Sequence, residues 1–389
     1  MKLQQSSMLL GLFSQTALSK YDRYIYAPAQ RDVTPASLYM SNGTVDGADN
    51  LGKGTTFHGV NSSITVDFEV NIGGTVQFEV DSLDGEDQYL GFTFTESSQW
   101  ISPYVCDSAT AGPDDRDAPW WTSVPSTGSY SAPKERQRGG FRYMSIWHNS
   151  TGILSLSSLS VNVTVEPDAE DLREYTGYFH CDNDKLNRVW YAGAWTNQLC
   201  LMDPAYGNAL DVPSDDWYYN TSVASKSPPG PQFSSLTINI DGTSVLIDGA
   251  KRDRLVWPGD IYVSGPSIFV STNRLDGIRN GIDSIMILQQ PNGRLPWAGT
   301  PFDLDGEFPF SFTYHHYTLI DLYDYYIFTG DLEYVEKYWH QYKLALHWSL
   351  SQIDDSGFAN VSSEFDWLRF GMGGHNGEVS TNDRLENTL

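Results

Sequence analysis

Asp248-Gly-Ala-Lys-Arg-Asp-Arg-Leu-Val-Trp-Pro-Gly-Asp260 is the stretch on which the reading of this chain turns. It packs three carboxylates (Asp248, Asp253, Asp260), three cations (Lys251, Arg252, Arg254) and the indole of Trp257 into one short segment. Glycine and proline break it at both ends, so it is not a plain solvated helix, and so many charges bury only with partners. Its composition suits acids held beside a polar ligand. Splitting a glycosidic bond needs a carboxylic acid to protonate the leaving oxygen and a second carboxylate on the other side. Asp253 is the acid candidate, because it has carboxylates five residues before and seven after it. Like charges raise a carboxyl pKa, and a water-excluding indole raises it further. Lys251, Arg252 and Arg254 oppose this if they point inward. Asp248 and Asp260 are then expected to hold sugar hydroxyls. The spacing also admits a structural role, with these aspartates capping helices and pairing with the arginines.

Upstream, the chain reads as β. Ser63–Val70, Gly74–Val80, Tyr89–Thr95, Phe141–Trp147 and Leu154–Val165 alternate apolar and polar residues, with turn residues between them. Period two with such punctuation predicts a β-sandwich. Around the motif and beyond it the period becomes helical. Leu186, Val189, Trp190 and Gly193 share one face. Leu275, Ile278, Ile282 and Ile285 share another, with Asn273 as the expected N-cap. Leu319, Leu322, Tyr323, Tyr326 and Ile327 mark a third helix, ended by Gly330. Asp331 opens a fourth through Val335, Trp339, Tyr342, Leu346 and Leu350. Ser244–Ile247 reads as a strand leading into the motif. Helices joined by short turns predict α-hairpins.

The chain has 389 residues, 12 Trp, 23 Tyr and a net charge of -25. That length allows two domains. A polyanion of this kind disfavours nucleic acid and anionic lipid as partners. Met1–Ser19 has Lys2, a short apolar run and small residues at Ala17 and Ser19, and is expected to be a secretory signal. No later run is long enough for a membrane span. Sequons at Asn42, Asn61, Asn149, Asn162, Asn220 and Asn360 point to a secreted glycoprotein. Of Cys106, Cys181 and Cys200, the last two flank a predicted helix and lie roughly 28 Å apart at 1.5 Å per residue, too far to pair. No cysteine spacing suggests zinc, and no Gly-x-Ser-x-Gly elbow appears. Asp81–Asp87 and Asp303–Glu307 carry oxygen ligands near glycine but lack the full calcium-loop pattern. No cofactor is implied.

The 248–260 motif resembles the signature of α-L-rhamnosidases of glycoside hydrolase family 78, the inverting six-hairpin glycosidases. Supporting segments are Tyr175–His180, Leu186–Ala194, Thr329-Gly-Asp331 and Asp366-Trp367, and Glu135–Tyr143 resembles a strand of the preceding β-sandwich in those enzymes. The resemblance covers nearly the whole chain and is closest to fungal members. It implies β-sandwich material followed by an (α/α)6 barrel acting on rhamnose-containing glycosides or polysaccharide. Residue by residue, Asp253 takes the general-acid position, while Asp248, Arg252, Trp257 and Asp260 take positions that hold the rhamnose. Trp297 and Trp367 are candidates for the sugar-facing wall, with core packing as the alternative. Many members carry an extra Glu after the Arg-Asp pair as the acid; this chain has the shorter form.

The implied organisation is a signal over 1–19, a β-sandwich over 25–168 and the N-terminal part of the barrel over 172–389. The family's general base is a Glu late in the barrel. Glu307, Glu364 and Asp366 do not match it, and only four helices are read after residue 180. The sequence is therefore expected to be a C-terminally truncated product with an incomplete barrel and exposed apolar helix faces. The competing reading is a non-catalytic carbohydrate-binding protein using the same Asp, Arg and Trp groups.

Overall fold

The structure is a computed structural model that describes residues 21–85, 88–102, 106–107, 119–133, 136–204, 240, 242–251, 254–299, 311–361, 365–366, 369–370 and 374–375. The expected signal, Asn220, the 303–307 loop, Arg252, Asp253 and Trp367 lie outside these residues.

Eight strands form one hydrogen-bonded network: β1 (Asp32–Val33), β2 (Ser37–Asp46), β3 (Thr55–Asp84), β4 (Gln88–Thr95), β5 (Trp120–Val124), β6 (Gly128–Ser131), β7 (Arg138–His148) and β8 (Ile153–Val163). The register folds this network into the two layers expected of a sandwich. β3 does the folding. Its residues 62–67 pair with β7, which pairs in turn with β4. Its two ends instead flank β8, since both Thr55 and Val80 sit opposite Leu156. β3 thus crosses between layers twice. Each crossing has a non-glycine residue in the left-handed region, Asn61 at φ 68° and Glu69 at φ 67°. Sequence patterning separates this strand into two, 63–70 and 74–80, because Glu69 to Gly73 interrupts the alternation while the chain continues extended.

The core lies between the layers. Phe57, Ile64, Val66, Val76, Leu90, Phe92, Ile146, Leu154 and Val161 are fully buried there. Each contributes about 1.5–3 kcal/mol through burial.

Five helices follow: α1 (Asp184–Leu199), α2 (Pro258–Val270), α3 (Leu275–Met286), α4 (Phe312–Thr329) and α5 (Leu332–Ser351). The reading above missed α2, whose Gly259, Gly265 and internal Pro266 dilute helical periodicity. β9 (Leu201–Met202) and β10 (Val245–Leu246) pair antiparallel, so the strand expected before the motif is present. α2–α3 and α4–α5 are two successive hairpins. α2 and α4 lie side by side and parallel, as ring contacts show in order along both: Trp257 with Tyr314 (5.5 Å), Tyr262 with Tyr317 (5.0 Å) and Phe269 with Phe328 (4.7 Å).

Several local expectations are corrected. On α1 the expected apolar face is outermost, with Leu186 53% and Val189 67% exposed. Its buried face contains Asn187, Tyr191, Trp195 and Gln198, and the polar members are bonded inward. Asn187 Nδ2 donates to the Cys181 carbonyl, and Gln198 Nε2 donates to Glu166. Asn273 does not cap α3. It occupies the left-handed region (φ 55°) in the turn after α2, and its N–H donates to the Ile268 carbonyl. Gly330 does end α4 in the left-handed region, and the Asp331 carboxylate accepts the Tyr334 N–H. All three cysteines are free thiols. Among the sequons, Asn42, Asn61 and Asn360 are exposed, but Asn149 is buried and closed to a glycan.

The two regions join through a pinned linker. The Arg31 guanidinium donates to the carbonyls of Val163, Val165, Glu166 and Ala169. Glu166, fully buried, meets Gln198 of α1 and Arg274. Burial pushes its carboxyl up to about 7, against the pull of Gln198 and Arg274.

Candidate functional site

The motif emerges from β10 as a loop closed at its neck. The Asp248 N–H donates to the Leu255 carbonyl (2.9 Å), and Asp248 Oδ1 accepts the Leu255 N–H (2.9 Å). Asp248 thus ties together the two ends of the short stretch between itself and Leu255. Part of the structural role that the spacing allowed is therefore real. Arg254 closes the loop in the left-handed region (φ 45°) with its side chain buried. Burial, then the nearby Arg138, push its guanidinium down to about 10, while Cys200 and Asp248 pull the other way.

The sandwich supplies the loop's backing. A Cβ on Gly139 would overlap the Ala250 carbonyl oxygen, and one on Gly140 would come 3.3 Å from the Ala250 Cβ. Only glycine lets β7 approach the motif backbone this closely. Lys251, from the loop, pairs with Glu96 of the sandwich (2.7 Å) and reaches Asp107 (3.6 Å). In front of Asp248, Gly249, Ala250 and Lys251 lies an open cavity of about 770 Å³, bordered by α1 and the sandwich. That size falls in the roughly 300–1,000 Å³ range of small-molecule sites.

The four described candidates do not form one cluster. Asp248 lines the cavity. Trp257 stands at the N-terminus of α2 with Pro258 at its first position, the place where a missing N–H costs nothing. Its indole packs edge-on against Trp297 (5.3 Å), and both rings are buried with Leu255 and Ala298. These two tryptophans form a wall beneath the motif. Asp260 lies in the first turn of α2, where a carboxylate interacts favourably with the helix dipole.

Sequence reasoning missed Asp321 of α4. It is 3% exposed, and among the described residues neither carboxylate oxygen has a hydrogen-bond partner. Burial, then Asp324 and Asp260, hold its carboxyl well above the usual range, which favours its neutral form. Its signal was a charged residue three and four positions from the buried Thr318 and Tyr325. Asn71, Glu96 and Arg142 of the cavity wall were also missed, because only the tertiary fold brings them to the motif. His315 and His316 are both buried, and His315 Nδ1 accepts the Leu295 N–H (3.0 Å). Among the described residues no cluster of His, Cys, Asp or Glu could hold a metal, and no helix is long and apolar enough to cross a membrane.

Residues 233–388 match the family model of the bacterial alpha-L-rhamnosidase 6 hairpin glycosidase domain, a span that includes the whole motif. No curated protein matches the chain in sequence. Among solved structures, the chain is similar to a rhamnosidase from Klebsiella oxytoca with rhamnose bound (TM-score 0.61, 17% identity), covering 92% of this chain and 63% of that one. It is also similar to the family 78 rhamnosidase of Bacillus sp. GL1 (TM-score 0.58, 15% identity), covering 84% of this chain and 29% of that one. The chain therefore spans under two thirds of the enzymes it matches. At these identities the likeness shows the fold alone, a strand-rich region followed by helices, and the family model matches under half of the chain.

Proposed function

We propose that this protein is a glycoside hydrolase that acts on terminal α-L-rhamnosides with inversion, and that Asp253 is its general acid. The observation that carries the reading is the loop itself. Asp248 clamps its neck, two glycines seat it against the sandwich, and Asp248 to Lys251 border a cavity of ligand size. Preorganisation of this kind is what proton donation to a leaving oxygen requires, because the acid must be held within hydrogen-bond reach in the bound state. Asp248, Arg252, Trp257 and Asp260 hold the sugar in this reading, with Trp297 and Trp367 as its wall. The protein works outside the cell, as the expected signal and exposed sequons suggest.

Hydrolysis also needs a base that activates water on the opposite face of the ring. Binding needs only the groups that hold the sugar whereas turnover needs acid and base together, so the two are separate questions. Incubation with an aryl α-L-rhamnoside, alongside titration with L-rhamnose, answers both. Release of the aryl group that disappears in Asp253→Asn supports the enzyme. Rhamnose binding without release supports the carbohydrate-binding alternative. Undiminished release by Asp253→Asn eliminates Asp253 as the acid.

A further inference from the structure

The linker between β8 and α1 closes the joint between the two regions around one carboxyl. Glu166 is fully buried, and its backbone sits in the left-handed region (φ 47°). A buried ionisable group and a non-glycine residue in that region are each costly, and both fall on this residue. Glu166 reaches β9, α1 and the turn between α2 and α3. Its N–H donates to the Leu201 carbonyl (2.6 Å), and Oε2 accepts from Gln198 Nε2 (2.6 Å). Oε1 stands 2.8 Å from Arg274 Nε. The same turn holds the far end of the linker, since the Thr176 and Gly177 N–H groups donate to the Ser271 carbonyl (3.1 and 2.7 Å). β9 in turn pairs with β10, the strand that leads into the motif. We propose that Glu166 is a proton-operated latch at this joint, closed while its carboxyl is neutral and loosened locally when the carboxyl ionises.

The hydrogen bonding suits a neutral group better than an anion. An ionised carboxylate offers about four acceptor sites. Among the described residues, Gln198 fills one of them, and no N–H is aligned on Oε1 although Arg274 stands close. A charge on Glu166 would therefore be buried with incomplete compensation.

The groups around it leave Glu166 as the member that switches. Arg274 is the cation that faces it from the α2–α3 turn. The Gln198 amide from α1 is neutral and fixed, because the Tyr175 phenol donates to its Oε1 (2.6 Å) and its Nε2 also donates to the Leu172 carbonyl (2.8 Å). Burial holds that phenol above its usual range, so it stays protonated. Asp168, exposed on the linker, adds a like charge. The Arg31 guanidinium is committed to the linker carbonyls, that of Glu166 included.

The direction of the switch follows from the burial. In the closed joint the carboxyl titrates at about 7, and in an opened joint it meets water and returns towards its usual 4.5. The closed state binds the proton more tightly, so acid favours closure. Closure weakens about tenfold per pH unit between those two values and levels off above the higher one.

Hydrogen exchange of the full chain, read by mass spectrometry from pH 5 to pH 8 and corrected for intrinsic rates, tests the latch. Protection over residues 166–177 is expected to fall about tenfold per unit and to level off near pH 7, with this segment exchanging ahead of β7. Glu166→Gln, which cannot ionise, should flatten the profile. Arg274→Gln removes the opposing cation and should move the levelling-off to higher pH, whereas Asp168→Asn should move it lower. If the new amide of Glu166→Gln disturbs the joint, these two charge variants still decide the matter through their opposite signs. A flat wild-type profile, or charge variants that leave it unmoved, overturns the latch. Identical protection in 166–177 and β7 at every pH also overturns it, because the joint would then open only with the whole fold.

Discussion

The sandwich and the helical region differ in what they bury. In the sandwich, β4 and β7 are buried along almost their full length, polar positions included, while the Leu159–Val163 end of β8 alternates buried and half-buried residues as its apolar pattern predicts. In the helical region, Ile327, Leu332 and Trp339 are each about half exposed. With Leu322, Tyr323, Tyr326, Val335 and Leu346, Leu332 and Trp339 line an open groove of about 450 Å³. The buried seam of α5 runs instead through Tyr334, Tyr338, Tyr342, Ala345 and Ser349. It is built from polar-tipped side chains that find partners. Tyr334 Oη donates to Asp283, and Ser349 Oγ meets the His315 ring. A strand that slips by one residue inverts its whole core face, so its period is a strong constraint. A helix turns only about 100° per residue, so a tyrosine-rich seam can sit one position away from the apolar stripe and go unread.

This difference sets an order of expected effects. Phe92→Ala in the sandwich core should cost about 3–5 kcal/mol in denaturant unfolding, because a fully buried ring leaves a cavity. Gly139→Ala attacks the contact that couples the two regions. The new methyl must push the Ala250 carbonyl away, at about 1–3 kcal/mol or more, and it should abolish sugar binding by displacing the motif. Gly193→Ala, whose Cβ would meet nothing, is the control and should leave both properties intact.

The next effect depends on pH. Asp321 ionises near 3.9 when unfolded but at a higher pH when folded. Folding therefore favours its protonated form. Its contribution is fully present below about pH 4 and is lost as pH rises through the folded value. Asp321→Asn cannot ionise, so its stability relative to wild type should climb as pH rises above about 4, each unit of displaced pKa being worth ~1.4 kcal/mol. A urea midpoint difference that stays flat over this range refutes the neutral acid. Glu166 behaves in the same sense, between its usual value and about 7. The smallest effect belongs to Trp339→Gln, which should change stability by under about 0.5 kcal/mol while reducing self-association measured by light scattering.

Much of the architecture was legible because it rests on local rules. The β4, β7 and β8 alternation, the Gly330 stop and the Asp331 cap each follow from a few neighbouring residues. The site was half legible. The motif declared itself by its charge and its resemblance, and Trp257 and Trp297 do stand together beneath it. What stayed hidden is tertiary. Gly139, Glu96 and Asn71 are more than a hundred residues from the loop they serve, and the burial of Asp321 depends on the packing of α2 against α4. Asp248 shows both readings at once, since it clamps the loop neck and lines the cavity.

Crystals of the protein grown with L-rhamnose test the central claim most directly. The Asp253 carboxyl should lie about 2.6–3.2 Å from the oxygen on the anomeric carbon, with the sugar seated beside Asp248. A sugar bound elsewhere, or an Asp253 side chain turned away and locked onto a neighbouring guanidinium, would contradict it.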